Sequence, residues 1–442
     1  MTLSWIKKYK IELIIFFVAF LVRIFYAVIV QWLFGSHVFI SFSDAANYLH
    51  MAQTFLQYHT ISQATDSPFL LPDPLRTPIY PLFLALFVLF KLPIFTVVLV
   101  QNILVGFIAV IIYRLGIKLF ESRSIGIVAS VIFCFEPMSI YWNNLLMSET
   151  LASFFFIFAI YLFVSKRYYL SAVMLGLATL TRPVNLYFFP LFLLMYIYEY
   201  REYLFNTVKA GGGLLWRKFL LIFFIFFLTI FPWMLRNKIQ FDTWELSSNG
   251  WFAIYYFTAE KFTEIKHIPY TRNIAPVSPD YYHGKDRQIL YFYEFFNTPK
   301  YKKYVIDLIK KYPIDFIKFH FTSAVKGFNN HDYGYIARYV LQAKVPSFPS
   351  VISDWLVGIG QWIWLAIYGF VAVGLFVKGR RAWQLFLLGF YLINNFLIGY
   401  ISMVSAGGRY NLPFLPITLL LASYGFMSLW DYQKSLTKKR HV

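Results

Sequence analysis

Apolar runs about one bilayer thick, each closed by a short basic cluster, constrain this chain more than any other feature. The first, residues 11–33, reads IELIIFFVAFLVRIFYAVIVQWL, and comparable runs recur to the C-terminus. About 20 apolar residues in a helix cross the hydrocarbon core. Only helices and closed barrels satisfy their own backbone there, and runs this long specify helices. The chain therefore reads as an all-α polytopic membrane protein. Its composition agrees: 59% of residues are hydrophobic and 14% charged, where a soluble domain carries about 25% charged residues. The first run is longer than a signal-peptide core and no small-residue cleavage site follows it, so a retained helix is expected.

The formal net charge is +19. It is spread as small clusters between apolar runs, the pattern of cytoplasmic loops and anionic headgroup contacts. That placement argues against a nucleic-acid partner. The one cysteine, Cys134, lies inside an apolar run, which excludes a disulfide within the chain and predicts a buried thiol.

The basic clusters also set a topology. Lys7, Lys8 and Lys10 keep the N-terminus in the cytoplasm, so the first helix delivers residues 34–78 to the outer face. Arg114, Lys118 and Arg123 are the next inside markers. They favour one crossing at 93–115, with 79–91 partly embedded near the outer surface. Residues 124–142 then run outward, 149–165 inward to Lys166 and Arg167, and 168–181 outward to Thr181-Arg182-Pro183. Residues 184–199 return to a basic loop holding Arg201, Lys209, Arg217 and Lys218. Residues 218–235 run outward and end just past Pro232-Trp233. After a long outer stretch, 356–377 return to Lys378, Arg380 and Arg381. Residues 382–403 go out, and 411–430 come back to a tail with Lys438, Lys439 and Arg440. The expectation is about ten crossings, with ten to twelve as the range, both termini cytoplasmic. Three units follow: a core over 1–235 that includes the first outer loop 34–78, a large outer loop over 236–355, and C-terminal helices and tail over 356–442. Short runs such as 168–181 predict tilted or broken helices around a cavity. The spacing of Tyr304, Leu308 and Tyr312 predicts an amphipathic surface helix.

Candidate chemistry collects at the outer ends of these crossings. Asp44, in SFSDAANYLHMAQTF, stands at the head of the first outer helix, where Ser43 or Asp44 could equally serve as an N-cap. Arg76, in LRTPIYP, is stiffened by its prolines. It reads either as a headgroup-snorkelling side chain or as a guanidinium fixed for bidentate phosphate binding. Glu149, in NNLLMSET, begins a descending helix, as first-turn acids do with Ser148 as cap; an acid so near hydrocarbon is costly without a partner. Glu136, in CFEPM, is similarly placed. Arg182 precedes Pro183, Arg236 and Asn237 follow the Pro232-Trp233 break, and Arg409 follows Gly407-Gly408. Several arginines and two or three acids at one face suit a phosphate-bearing lipid. No Walker loop, dinucleotide fingerprint, CxxC or HExxH occurs. His50, His59, His267, His283, His320 and His331 lack metal-ligand spacing, so no metal ligand set is assigned.

At these residues the chain resembles the GT-C superfamily of membrane glycosyltransferases, in the group of protein O-mannosyltransferases and bacterial lipid A aminoarabinose transferases. The likeness rests on SDAANY (Asp44), RTPIYP (Arg76), LLMSET (Glu149), TRP (Arg182), PWMLRN (Arg236) and GGRYNLPFLP (Arg409), in that order. It implies a GT-C type fold in a bacterial plasma membrane with its active site outside. The implied donor is a sugar on a polyprenyl phosphate, and the acceptor a lipid, glycan or protein. Asp44 would be the base on the acceptor hydroxyl, giving inversion, or would position an acceptor that is already ionised. Glu149 would be a second catalytic acid. Arg76 and Arg236, with Arg182 and Arg409, would bind the donor phosphate. Ala45 stands where the mannosyltransferases carry a second acid, which leans away from protein mannosylation and weakens the case for a divalent metal there. Three other readings share the topology: a flippase or transporter of lipid-linked sugars, with ionisable residues near mid-bilayer; a polysaccharide polymerase or ligase, with its key residues in late outer loops; and a membrane scaffold, which leaves the arginines unexplained.

Overall fold

The computed structural model describes residues 7–63, 72–205, 212–270, 294–328, 350–377, 381–399 and 407–440. The expectations for His283, His331, Lys209, Lys378 and Arg380 lie outside these residues. The described residues form helices and turns, as the apolar runs require.

Helix α1 spans Lys10–Phe34, about 37 Å at the helical rise. It buries Ile15, Ala19, Arg23, Ala27 and Val30 along one stripe and exposes Phe17, Leu21, Phe25 and Trp32. That division fits a helix with lipid on one side and protein on the other. Gly35, at φ 77°, ends it, and α2 (Ser43–Tyr58) follows. Next comes α3 (Ile79–Leu89), packed on α2. Its 11 residues reach about 16 Å, short of the roughly 30 Å hydrocarbon thickness. Helix α4 (Ile94–Phe120) then runs against α1.

The next apolar run is broken. α5 (Arg123–Phe135) and α6 (Pro137–Asn143) meet at 59°. Proline causes the break: Pro137 has no N–H for the Phe133 carbonyl. Glu136 caps α6 by accepting from Met138 N at 3.1 Å and Ser139 N at 2.6 Å. Taking Met138 N leaves the Cys134 carbonyl free as well. Arg23 of α1 fills both vacancies, donating to Phe133 O and Cys134 O at 3.0 Å each. It also donates to Ser139 Oγ at 2.7 Å and Ala19 O at 3.2 Å. Glu136, a candidate site acid in the sequence, is thus a cap at a sealed bend. Cys134 is buried beside it.

Helices α7 (Ser148–Val164) and α8 (Tyr168–Thr181) pack as a pair, with α8 also against α10 (Gly212–Phe241). Between them α9 (Phe189–Leu204) follows a short 3₁₀ turn at Pro183–Phe188. α10 corrects one expectation: it runs straight through Pro232 to Phe241. The prolyl ring costs only the bond to the Leu228 carbonyl, and membrane helices tolerate that loss. Arg236 and Asn237 therefore sit in the last turns of a helix, not in a loop.

Outside the bundle, α11 (Asn249–Ala253), a π turn at Ile254–Ala259, α12 (Glu260–Ile265), α13 (Glu294–Lys311) and α14 (Pro313–Phe328) follow. They share a second apolar cluster of Tyr255, Phe262, Tyr301, Val305, Leu308 and Phe316. The amphipathic spacing read at Tyr304 and Leu308 is that of α13. Finally α15 (Ser350–Phe376), α16 (Arg381–Gly399), a 3₁₀ segment at Gly407–Phe414 and α17 (Leu415–Arg440) complete the bundle. α15 and α17 cross closely at Gly374 and Gly425, where a Cβ on Gly425 would collide with the Phe370 carbonyl. Small residues at such crossings let helix backbones touch in lipid.

Among the described residues five helices are long and apolar enough to cross a membrane, and six if the bent pair counts as one span. Shorter apolar helices include Ser148–Val164 and Tyr168–Thr181. The molecule is a multi-pass helical membrane protein.

Candidate functional site

At one end of the bundle the helix termini surround a cavity of about 1020 Å³. Asp44, Arg76, Arg182 and Arg409 line it, although they come from four distant segments.

Asp44 lies in the first turn of α2, which begins after Phe42 without a side-chain cap. Its carboxylate turns instead to two arginines. Oδ1 accepts from Arg76 Nη2 at 2.6 Å, and Oδ2 from Arg409 Nη2 at 2.8 Å. Burial alone would push the Asp44 carboxyl up. Arg76 and Arg409, with Arg182 beyond them, override it and hold the group at about 2. The same acid raises Arg76 above the ordinary guanidinium value despite its burial. With both oxygens paired, Asp44 is an ionised hydrogen-bond acceptor.

Glu149 is completely buried and does not line the cavity. It forms ion pairs with Arg182 and with Arg409 Nε, the latter at 3.0 Å. Arg409 thus bridges the two acids. Three guanidinium groups face two carboxylates, which leaves the cluster one positive charge in excess. Buried charges require such pairing, and the surplus favours an incoming anion. The side chains are also held by rings: Arg76 lies over Tyr48 at 5.4 Å and Arg409 over Phe42 at 4.9 Å. Tyr48 donates to Ser148 Oγ at 3.2 Å. Ser148 is the first residue of α7 and not its cap.

Local sequence explains each placement. Pro183 forces Arg182 into an extended conformation, and the Asn185 side chain closes the end of α8 by donating to the Ala178 and Arg182 carbonyls. Asp73 folds the loop that carries Arg76. Its Oδ1 accepts from Leu75 N at 2.9 Å and Arg76 N at 2.6 Å, and Gln63 donates to its other oxygen. Burial raises the Asp73 carboxyl above its usual range, against the pull of Gln63 and the arginines.

Arg236 is not part of this cluster. Its Nη1 donates to the Asp73 carbonyl at 3.0 Å and to Asn237 Oδ1 at 2.8 Å. Its plane lies over Trp233 at 4.4 Å and Phe241 at 5.0 Å. The cavity lining does not include it. Of the six residues singled out in the sequence, four line the cavity, Glu149 supports them from behind, and Arg236 holds a loop.

The remaining walls were missed in the sequence. Phe227, Ile230 and Met234 of α10 with Leu186 and Tyr187 make one apolar side. Trp244, Glu245, Ser247, Asn249 and Trp251 roof it. Asp73 alone had a local signal, the Asp-Pro turn in PDPLRTP. Among the described residues no group of three or more His, Cys, Asp or Glu side chains could hold a metal ion.

A family model for PIG-U, a GPI transamidase subunit, matches residues 77–266, less than half the chain. The match takes in Glu149, Arg182 and Arg236 but stops short of Asp44, Arg76 and Arg409. No curated protein sequence matches the chain. The solved structure of ArnT from Cupriavidus metallidurans bound to undecaprenyl phosphate is similar at 12% sequence identity and a TM-score of 0.39, with 92% of this chain and 77% of that chain covered. What this chain does must be argued from its own side chains.

Proposed function

We propose that the chain is a membrane glycosyltransferase of GT-C type that moves a sugar from a polyprenyl-phosphate donor to an acceptor at the outer face. The observation that carries this reading is the ionised Asp44 between Arg76 and Arg409, on a cavity with one cationic side and one apolar side formed by a bundle helix. An amphipathic phosphate ester suits such walls: its head meets the guanidinium groups and its chain follows Phe227, Ile230 and Met234.

The step is a displacement at the anomeric carbon. The acceptor oxygen forms the new bond as the bond to the phosphate oxygen breaks. The hydroxyl proton passes to Asp44, and polyprenyl phosphate leaves as the anion. Asp44 is a weak base while both its oxygens are paired. A phosphate that attracts Arg76 or Arg409 frees an oxygen and raises its basicity, which ties base strength to donor occupancy. Arginines already fixed in place stabilise the charge growing on the leaving group. Glu149 positions Arg182 and Arg409.

The test is release of free polyprenyl phosphate from radiolabelled polyprenyl-phosphate-sugar, in proteoliposomes with crude envelope acceptor. Release with transfer of label, lost in Asp44→Asn, is expected. Leaflet exchange of the intact lipid would replace this reading with the transporter. The family match over 77–266 favours a second reading, in which the chain is a subunit of a membrane transamidase assembly and its cavity holds a lipid headgroup without turning it over. Binding of the donor with no release in any acceptor mixture would favour it.

A further inference from the structure

We propose that Arg236 is a positioning residue, which sets the Arg76 guanidinium by anchoring the loop that carries it. The functional consequence rests on the phosphate-binding reading above; the positioning itself does not. The loop 73–76 is held from three sides. From within, the Asp73 carboxylate accepts from Leu75 N and Arg76 N. From the roof, Ser247 Oγ donates to Leu75 O at 2.6 Å, and Ser248 N donates to Pro74 O at 3.0 Å. From the bundle, Arg236 donates to Asp73 O at 3.0 Å. The roof is fastened to the same turn of α10: Asn237 Nδ2 donates to Glu245 O at 2.8 Å, and Trp233 Nε1 to Leu246 O at 3.0 Å. The end of α10 is therefore the post to which both loops are tied. Continuation of the helix past Pro232 puts Trp233, Arg236 and Asn237 on that post. Arg236, close to the rings of both Trp233 and Phe241, donates to a carbonyl and does not line the cavity. A phosphate reaches Arg76 and Arg409 without meeting it.

A double-mutant cycle separates this role from direct phosphate binding. Binding of farnesyl phosphate to the full-length chain in detergent is measured for Arg236→Gln, Arg76→Ala and the pair. Loss of one positioning hydrogen bond is expected to weaken binding about tenfold in the otherwise native chain. It should weaken binding little further once Arg76 is gone, and Arg236→Lys should restore most of it by donating to the same carbonyl. Equal losses in both backgrounds would make Arg236 a direct ligand and overturn the proposal. A second readout needs no ligand: Leu75→Cys in a Cys134→Ala chain should react slowly with maleimide, and several-fold faster once Arg236→Gln is added. Unchanged labelling overturns the proposal. If the native chain fails to bind farnesyl phosphate, the phosphate reading falls and the cysteine rates alone decide the positioning.

Discussion

The two arginine centres of this molecule solve one problem in opposite ways. Arg23 is fully buried in the first membrane helix and gives its N–H groups to two main-chain carbonyls of a broken helix, to Ala19 O and to Ser139. Arg76 and Arg409 give theirs to the side-chain carboxylate of Asp44, and Arg409 also to Glu149. A main-chain carbonyl in a helix end cannot leave, and neither Arg23 nor its partners line the cavity of Asp44; Arg23 is mortar. A carboxylate on a cavity wall can exchange partners with a visiting anion, and with one cation in excess the exchange is favoured. Burial alone does not mark a functional arginine. The chemistry and mobility of its partner do.

The strongest test of that contrast is Asp44→Asn. It should lower transfer by about 10²–10⁴ if Asp44 takes the acceptor proton, while leaving the chain folded; near-native turnover would demote the cluster to scaffolding. Glu149→Gln comes next. It takes the carboxylate from Arg182 in a buried site, while Arg409 keeps Asp44, and removing one member of a buried pair costs about 3–5 kcal/mol, readable as a fall in unfolding temperature in detergent. A neutral result would mean that solvent reaches these arginines. Arg23→Met should destabilise by about 1–3 kcal/mol for each carbonyl left unpaired, yet turnover per folded molecule should stay native. A changed KM would join the two centres functionally and break the comparison. The smallest effect is one of pH. Asp44 lies below its ordinary value of 3.8, at about 2, so its stabilising contribution is complete above 3.8 and is lost as pH falls through about 2. The contribution is about 2 kcal/mol. Stability curves of native and Asp44→Asn proteins should keep a constant gap from pH 5 to 8 and converge below pH 4.

Much of this arrangement was legible because membrane helices announce their lengths and their ends. The apolar runs gave the bundle, and proline beside arginine marked Arg76 and Arg182 as fixed in direction. Asp44 stood out as an acid with no apolar reason to be there. Arg236 was misplaced because a proline reads as a helix end. Membrane helices tolerate one missing bond, and Trp233 and Asn237 fasten the following turn to the 245–246 segment, so α10 carried on for another two turns. Glu136 looked like a site acid because its partners, the α6 amides of Met138 and Ser139, lie in a bend. The roof from Trp244 to Trp251 was silent for a simpler reason: its residues are ordinary loop residues, and only their contact with Asp73 to Arg76 gives them a place.

The bend at Glu136-Pro137 has a consequence for how the chain enters the membrane. In lipid, alone, the broken span would present two bare carbonyls, and the first span would present an unmatched guanidinium costing about 2.5–3.5 kcal/mol at mid-bilayer. Each is the remedy for the other. The two spans are therefore more stable side by side than apart, and the pairing becomes available once residues 133–139 have been made. A single side chain thus ties the first span to the broken one, far from the cavity where a substrate would be met.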